Sequence, residues 1–448
     1  MVNIWKFIKR TDAIAGLFAL LGPIGNLLPL VPNVPSFRAY YILLPFLVFY
    51  MLLFRLTETA IIRIAILTPG FLYMLLSMII AGNKAGDPED NAVFRYGLLA
   101  MLCVFTMLAG SYNENQSMFQ KLHYIKLYLI GYLISLICGY AFFALYYSGH
   151  ATAGQLERFH VLLQFGYGIL RFSPGSYPNE YGTVSSFALS LLTLLFLSRK
   201  EPFARGYFRK TGYKVLFAAF FVLTFGALLL ATTRAAYISY LFAVLYIFFT
   251  KYKRNFYKQA AFLLSLVAVV AVLLIIINHS FFDIFLVFKN GFSSMVKGEG
   301  SFEARIISWQ AAYHDFSQSP IVGTGFGSAA MIHNTYLQML FELGVAGIIL
   351  IAVSLAVFAI YQFKTGHSRV SVVSLPEGDF LWKAADMALI HILWFALSNH
   401  NLNHHLTWFG FFLVLIRGKN AFSIEHCIDR LLAGSGASIR SILKRNKQ

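Results

Sequence analysis

Residues 263–277 read Leu-Leu-Ser-Leu-Val-Ala-Val-Val-Ala-Val-Leu-Leu-Ile-Ile-Ile, with Ser265 the one polar side chain in the run. The wall of a membrane β-barrel alternates apolar and polar residues, and this stretch does not, so a barrel is excluded. Apolar runs of about twenty residues recur along nearly the whole chain, the length that crosses the hydrocarbon core of a bilayer. Backbone polar groups in lipid must be satisfied within the segment, so the runs are helices. The composition agrees. Of 448 residues, 58% are hydrophobic and 12% charged, roughly half the charge usual in a soluble chain of this length.

The expected fold is an all-α integral membrane protein, a bundle of about twelve transmembrane helices. The spans fall near 13–31, 40–54, 60–82, 94–110, 124–147, 181–198, 214–231, 235–250, 259–277, 335–361, 382–398 and 406–416. Residues 1–277 then carry nine helices with an external loop at 148–180. A large external loop at 278–334 separates the ninth helix from the tenth, and 335–417 carry the last three. The tail at 418–448 has apolar residues at helical spacing among basic ones from Phe422 to Leu443, and reads as an amphipathic segment on the inner leaflet. Met1 to Arg10 is basic, but the apolar stretch after it contains Pro23 and leads to Pro32 and Pro35. It reads as the first membrane helix, with no cleavage site expected. Cys103 and Cys138 fall inside expected helices and Cys427 in the tail, so the cysteines form no framework.

A net charge of +17 invites a nucleic-acid reading, which the distribution removes. With the N-terminus inside, 27 of the 36 Lys and Arg lie on the cytoplasmic side. Arg38, Lys84, Arg95, Arg158, Arg171, Arg234, Lys289, Lys297 and Arg305 lie on the other. That asymmetry is the positive-inside rule, and it puts both termini in the cytoplasm. The excess charge needs no nucleic acid.

The external arginines are the first candidates for chemistry. Arg234 follows Thr232 and Thr233 where one helix ends and the next begins. Arg305 lies in the large loop within Glu303-Ala-Arg-Ile-Ile-Ser-Trp309, on an expected amphipathic helix from Glu303 to Gln318 with Ile306, Ile307, Ala311 and Tyr313 as its apolar residues. Arg171 lies in the other loop, before Pro178-Asn179-Glu180. A guanidinium binds phosphate oxygens through paired hydrogen bonds and stays charged at physiological pH, so converging arginines suit a diphosphate. Singly, each could equally snorkel to lipid headgroups or pair with a glutamate.

The second candidate region is Pro320-Ile-Val-Gly323-Thr-Gly325-Phe-Gly327, then His333-Asn334-Thr335-Tyr336 and Glu342-Leu343-Gly344. Three glycines at spacing two give a tight turn whose exposed backbone can approach a ligand, and the absence of a following Lys-Ser or Lys-Thr rules out a P-loop. His333, just before a long apolar helix, reads either as a proton acceptor for a sugar hydroxyl or as a helix cap. Glu342, deeper in that helix, is a functional candidate or the partner of an arginine across the bundle.

Together these segments resemble the signature region of the O-antigen ligase and O-antigen polymerase superfamily, over roughly residues 171–350. Pro178-Asn-Glu-Tyr-Gly182 and Thr233-Arg-Ala-Ala236 contribute to the likeness. The resemblance implies a GT-C-like membrane glycosyltransferase of the bacterial inner membrane, with its periplasmic or extracellular loop over a cavity. The donor would be an undecaprenyl-diphosphate-linked glycan and the transfer metal-independent, without cofactor, and inverting. The acceptor would be a lipid-linked repeat unit for a polymerase, helped by a chain-length regulator, or lipid A core for a ligase. By the same resemblance His333 is the catalytic histidine and Arg234 and Arg305, with Arg171, hold the diphosphate. Asn334, Tyr336, Glu342, Asn179 and Glu180 support them. Arg171 and Gly182, with ten residues between, are similar to a pattern in some polymerases. The second loop departs from it, since Phe316 stands where Arg305 would need a glycine.

A flippase or transporter is the reading from another class, but such folds are usually built from paired repeats, and no internal repeat is visible. Two further clusters read as turns rather than metal sites: Asn399-His400-Asn401-Leu-Asn403-His404-His405, and Asp87, Glu89 and Asp90 beside Gly86 and Pro88. His391 and Asp386 are expected to face polar groups inside the bundle.

Overall fold

The computed structural model describes residues 12–25, 27, 39–81, 91–157, 159, 170–251, 301–328, 332–366 and 376–417. Among them the helices are α1 (Ala13–Ile24), α2 (Ala39–Phe54), α3 (Glu58–Ala81), α4 (Ala92–Asn113), α5 (Met118–Tyr147), α6 (Ala153–Glu157), α7 (Pro178–Leu197), α8 (Pro202–Arg209), α9 (Thr211–Leu230), α10 (Arg234–Lys251), α11 (Ser301–Gln318), α12 (Thr335–Gly366), α13 (Pro376–Ser398) and α14 (His405–Ile416). Eleven of the expected spans fall on these helices. The span at 259–277, the tail and the Asp87 cluster lie outside the described residues. Seven helices, α3, α4, α5, α7, α9, α12 and α13, are long and apolar enough to cross a membrane, and α1, α2, α10 and α14 are shorter apolar helices.

Helices α4, α5, α7, α13 and α14 supply most of the core. Its large side chains are aromatic: Tyr124, Tyr128, Tyr132, Tyr181, Phe187, Phe409 and Phe412 are all buried. Tyr128 stacks on Phe409 with ring centroids 4.6 Å apart. Helices α2, α3, α9 and α12 instead turn large apolar side chains outward, among them Phe46, Ile80, Val222 and Ile349. In a chain of this composition those faces meet lipid. As expected, Asp386 and His391 face polar groups: Asp386 accepts from Arg417 at 2.9 Å, and the His391 Nε2 lies 2.9 Å from Ser186 Oγ.

Helix α12 is broken at Gly344, whose φ of 67° is left-handed. A break exposes carbonyls and amides that an apolar setting cannot hydrate. The glycine turn after α11 answers them. Thr324 N donates to Phe341 O at 2.9 Å and Gly325 N to Glu342 O at 2.8 Å. In the other direction Val345 N and Ala346 N donate to Pro320 O and Ile321 O, each at 3.0 Å. Tyr73 of α3 gives its hydroxyl to Leu343 O at 3.0 Å. The turn's glycines are therefore spent on the protein itself, Gly325 closing on Ala81 and Gly327 on Ala92. A Cβ on Gly323 would lie 2.4 Å from Gly344 N, which corrects the expectation that this backbone approaches a ligand.

The two ends of α12 are tied to the bundle by charge. Glu342 accepts from Arg95 of α4 at 3.3 Å and from Gln338 at 3.0 Å. At the other end Arg63 of α3, fully buried, donates to Gln362 at 2.8 Å, to Glu114 at 3.0 Å and to Ser111 at 2.6 Å. Of the two readings of Glu342, the structure gives the ion pair.

A Cβ at position 344 would meet Ile321 O at 2.3 Å in a conformation that L side chains rarely adopt. Gly344→Ala is expected to cost at least about 2 kcal/mol and to lower the thermal midpoint of the purified protein. Gly212→Ala, where an added Cβ meets nothing within 4 Å, should leave the midpoint unchanged.

Candidate active site

Between α9 and α10 the chain turns over Ala231 to Thr233 with almost no loop, and two separate features clamp that turn. Arg171 donates through Nε to Ala231 O at 3.0 Å and through Nη2 to the same oxygen at 2.8 Å. Its Nη2 also reaches Thr233 Oγ1 at 3.3 Å and Asn179 Oδ1 at 3.5 Å. From the other side Gly182 lets α7 close on the turn, since a Cβ there would lie 2.7 Å from Thr233. Thr233 Oγ1 in turn donates to Pro178 O at 2.9 Å. The Arg171 and Gly182 pair noted in the sequence thus grips one turn, and the residue it delivers is Arg234, exposed as the first residue of α10.

Arg305 comes from α11. The face this helix turns inward is Arg305, Ser308, Trp309, Ala312 and Phe316, while Ile307, Ala311 and Tyr313 are exposed. Ile306 is half-buried beside them, so the apolar residues expected on this helix divide between its two faces. Packing selected the stripe that meets α12, where Phe316 lies 5.4 Å from Phe341. Trp309 Nε1 donates to Ile332 O at 2.8 Å, which fixes the residue before His333. Asn334 fixes the residue after it: its Oδ1 accepts from Leu337 N at 3.1 Å, the first-turn bond of an N-cap. The cap of α12 is therefore Asn334, and His333 is released from that role.

His333 has a φ of 52° and Thr232 the same. Among the described residues these are the two positive-φ positions that are not glycine. A β-branched residue and a histidine held in that region cost energy that their surroundings must impose, and such strain concentrates at functional sites. The His333 Nδ1 lies 3.3 Å from Asn399 Oδ1. An amide oxygen can only accept, so Nδ1 carries the proton and Nε2 keeps its lone pair. Burial holds the His333 pKa below the ordinary value; the Asn399 bond opposes this and the charge of Arg305 adds to it. The ring is neutral at pH 7, as a base requires.

The arginines share one field. Burial lowers the Arg305 pKa, and the charge of Arg234 lowers it further. Burial lowers Arg171 to about 10, with Arg234 again adding to the fall. The charge of Arg234, at the start of α10, thus acts on Arg171 from the loop before α7 and on Arg305 from α11, and the charge of Arg305 acts on His333. Like charges held together in a half-buried place repel, and an anion of more than one charge relieves them. The amide dipole at the start of α10 favours the same anion.

Residues 219–352 match the family model described as O-antigen ligase. The match, over about a third of the chain, supports the resemblance to the O-antigen ligase and polymerase superfamily. It takes in Arg234, Arg305, His333 and Glu342, and leaves Arg171, Asn179 and Glu180 outside. No curated protein matches the chain. The superfamily's membrane enzymes transfer glycans, and the arrangement of cations beside a neutral imidazole suits that chemistry.

Glu180 and Tyr336 complete the expected set. Glu180 accepts from Ser176 Oγ at 2.5 Å and lies 3.8 Å from His404 Nε2. Tyr336 points away, its hydroxyl 3.4 Å from Leu393 O on α13. The asparagine-rich segment forms a turn, as expected: Thr335 Oγ1 donates to Asn399 O at 2.8 Å, and Asn401 N donates to Thr335 Oγ1 at 3.0 Å. His404 caps α14 and His400 lies in the turn, so the two do not share a helix face. Sequence reasoning missed Asn399 as the partner that orients His333; its place in a turn beside three histidines was the available signal.

His400 generates a pH dependence. Burial pushes its pKa down to about 3, with Arg95 adding to the fall and Glu180 opposing it. An unfolded histidine takes a proton as pH falls through about 6.5, whereas this one resists until about 3. Stability is therefore whole above the ordinary value and drains below it, by up to about 1.4 kcal/mol per pH unit. The thermal midpoint should fall between pH 7 and pH 5, and less steeply in His400→Gln. Equal slopes would contradict the assignment.

Proposed function

We propose that this protein polymerises undecaprenyl-diphosphate-linked oligosaccharide repeat units on the outer face of the bacterial inner membrane, as an inverting glycosyltransferase with both termini in the cytoplasm. What supports the reading is the chain of influence from Arg234 to Arg171 and Arg305, and from Arg305 to His333, across four separate segments of chain. Arg234 and Arg305 hold the donor's diphosphate. Arg171, with Nε and Nη2 committed to the turn at Ala231, adds charge and fixes the place of Arg234.

In this reading the acceptor is the terminal sugar of a second lipid-linked unit. Its hydroxyl oxygen attacks the donor's anomeric carbon from the face opposite the diphosphate and gives its proton to His333 Nε2. The bond from the anomeric carbon to the diphosphate oxygen breaks, the electron pair leaves with undecaprenyl diphosphate, and the configuration inverts. Fixed donors aimed at the leaving group contribute about 3 kcal/mol each, and a placed base about 10² to 10⁴ in rate. The lipid tail remains among the helices, and a separate chain-length regulator is the expected protein partner.

A second reading, transfer of finished glycan to lipid A core, is favoured by the description of the matching family as O-antigen ligase. The surface-glycan ladder of the host separates the two. Deleting the gene should leave acceptor capped by a single repeat unit if the protein polymerises, and bare acceptor with long glycan stranded on its carrier if it ligates. Restoring the gene as His333→Ala should reproduce the deletion, with transfer slowed about 10²-fold or more; a full ladder from that variant would remove both readings. Arg234→Lys should keep part of the ladder, since the charge stays while the paired donors go.

A further inference from the structure

Beside the basic segment from Arg199 to Lys214, a cavity of 640 Å³ opens between α7, α8 and α9. Its apolar lining includes Phe196, Phe208, Phe217 and Phe221, and its cations are Arg199 and Lys214. The rings form one continuous surface: Phe196 stacks on Phe217 at 6.3 Å, and Phe208 meets the same ring edge-on at 4.8 Å. Cavities of this size hold small ligands. Nothing in the glycan-transfer site uses these residues.

The surroundings say what the ligand is. Helix α8 is short and strongly two-sided. Ala204 is buried and Phe203 lies 5.2 Å from Phe380 of α13, while Arg205 and Arg209 are exposed. Such a helix lies in the plane of a membrane surface, at headgroup depth. Arg199 holds its guanidinium 4.4 Å from the centroid of Phe196, so the charge stands at the lip of the aromatic surface. From Lys214 to Val222, both in the lining, α9 rises about 12 Å. The cavity thus runs from cationic headgroup level well into the hydrocarbon layer. The segment from Arg199 to Lys214 carries Arg199, Lys200, Arg205, Arg209, Lys210 and Lys214 against the one acid Glu201. A positive rim over an apolar trough is complementary to one molecular shape, an anionic headgroup joined to an acyl chain.

We propose that this cavity is a binding site for one anionic phospholipid of the inner leaflet, its phosphate between Arg199 and Lys214 and an acyl chain along the phenylalanines. The site lies apart from the diphosphate site and does not depend on the reaction assigned there.

The test uses the full-length protein in detergent, with phosphatidylglycerol and phosphatidylcholine of matched chains titrated separately and bound lipid counted by native mass spectrometry. Wild type should retain the anionic lipid in preference, one tight copy per chain. Arg199→Ala/Lys214→Ala should weaken that copy about thirtyfold, the scale of losing two cations at an anionic headgroup. Arg205→Ala/Arg209→Ala removes the same charge from the same helical hairpin outside the lining, and should leave the tight copy in place. Both pairs are exposed, and an unchanged thermal midpoint without lipid confirms the fold. Equal retention of the two lipids would mean ordinary boundary lipid only and would overturn the site. So would an undiminished copy in the first double variant, or an equal loss in the second, which would mean attraction by diffuse charge.

Discussion

Where α12 breaks at Gly344, five backbone groups lose their helical partners in a part of the molecule with little water to replace them. Four are taken by the backbone of the turn from Pro320 to Gly325 and one by Tyr73. Leaving even one such group unpaired costs on the order of 1–3 kcal/mol, so break and turn exist only together. The pairing locks the C-terminal end of α11 against the first turns of α12. That in turn fixes both ends of the stretch that carries His333, through Trp309 on one side and Asn334 on the other. Arg305 and His333 are neighbours because this joint closes.

The second organising element is repulsion held in check. Arg171 is committed to the turn at Ala231 before any ligand arrives, and both it and the half-buried Arg305 feel the charge of Arg234. The clamp on Ala231 to Thr233 keeps the cations from spreading apart. A receptor assembled in this way does not need to reorganise when charge develops on a leaving group, which is where fixed dipoles and cations outperform water.

The helices were legible because hydrophobic runs of fixed length leave few alternatives in a bilayer. Cations at helix ends are unusual on the side expected to be external, and that made Arg171, Arg234 and Arg305 legible as candidates in the sequence. Three particulars were not. A glycine at positive φ serves any close approach, and nothing in Gly323-Thr-Gly-Phe-Gly327 says that the approaching group is the chain's own helix. The charge of Arg171 is plain in the sequence, but its partners are backbone carbonyls some sixty residues away, which have no residue-type signature. Asn399 lies 66 residues from His333 in the chain and meets it only because Thr335 anchors the turn that holds it. Each failure concerns a partner distant in sequence, while the successes concern properties carried by the residue itself.

The position of the break also divides labour within α12. From Val345 to Gly366 the helix rises about 33 Å, enough by itself to cross the hydrocarbon layer. The piece from Thr335 to Leu343 is therefore surplus to the crossing. Its side chains serve the site instead: Thr335 anchors the turn of Asn399 and Glu342 pairs with Arg95, so a change there would disturb the place of His333 without altering how the chain is threaded into the membrane. One half of the helix thus answers to the thickness of the bilayer, and the other to the partners it holds beside His333.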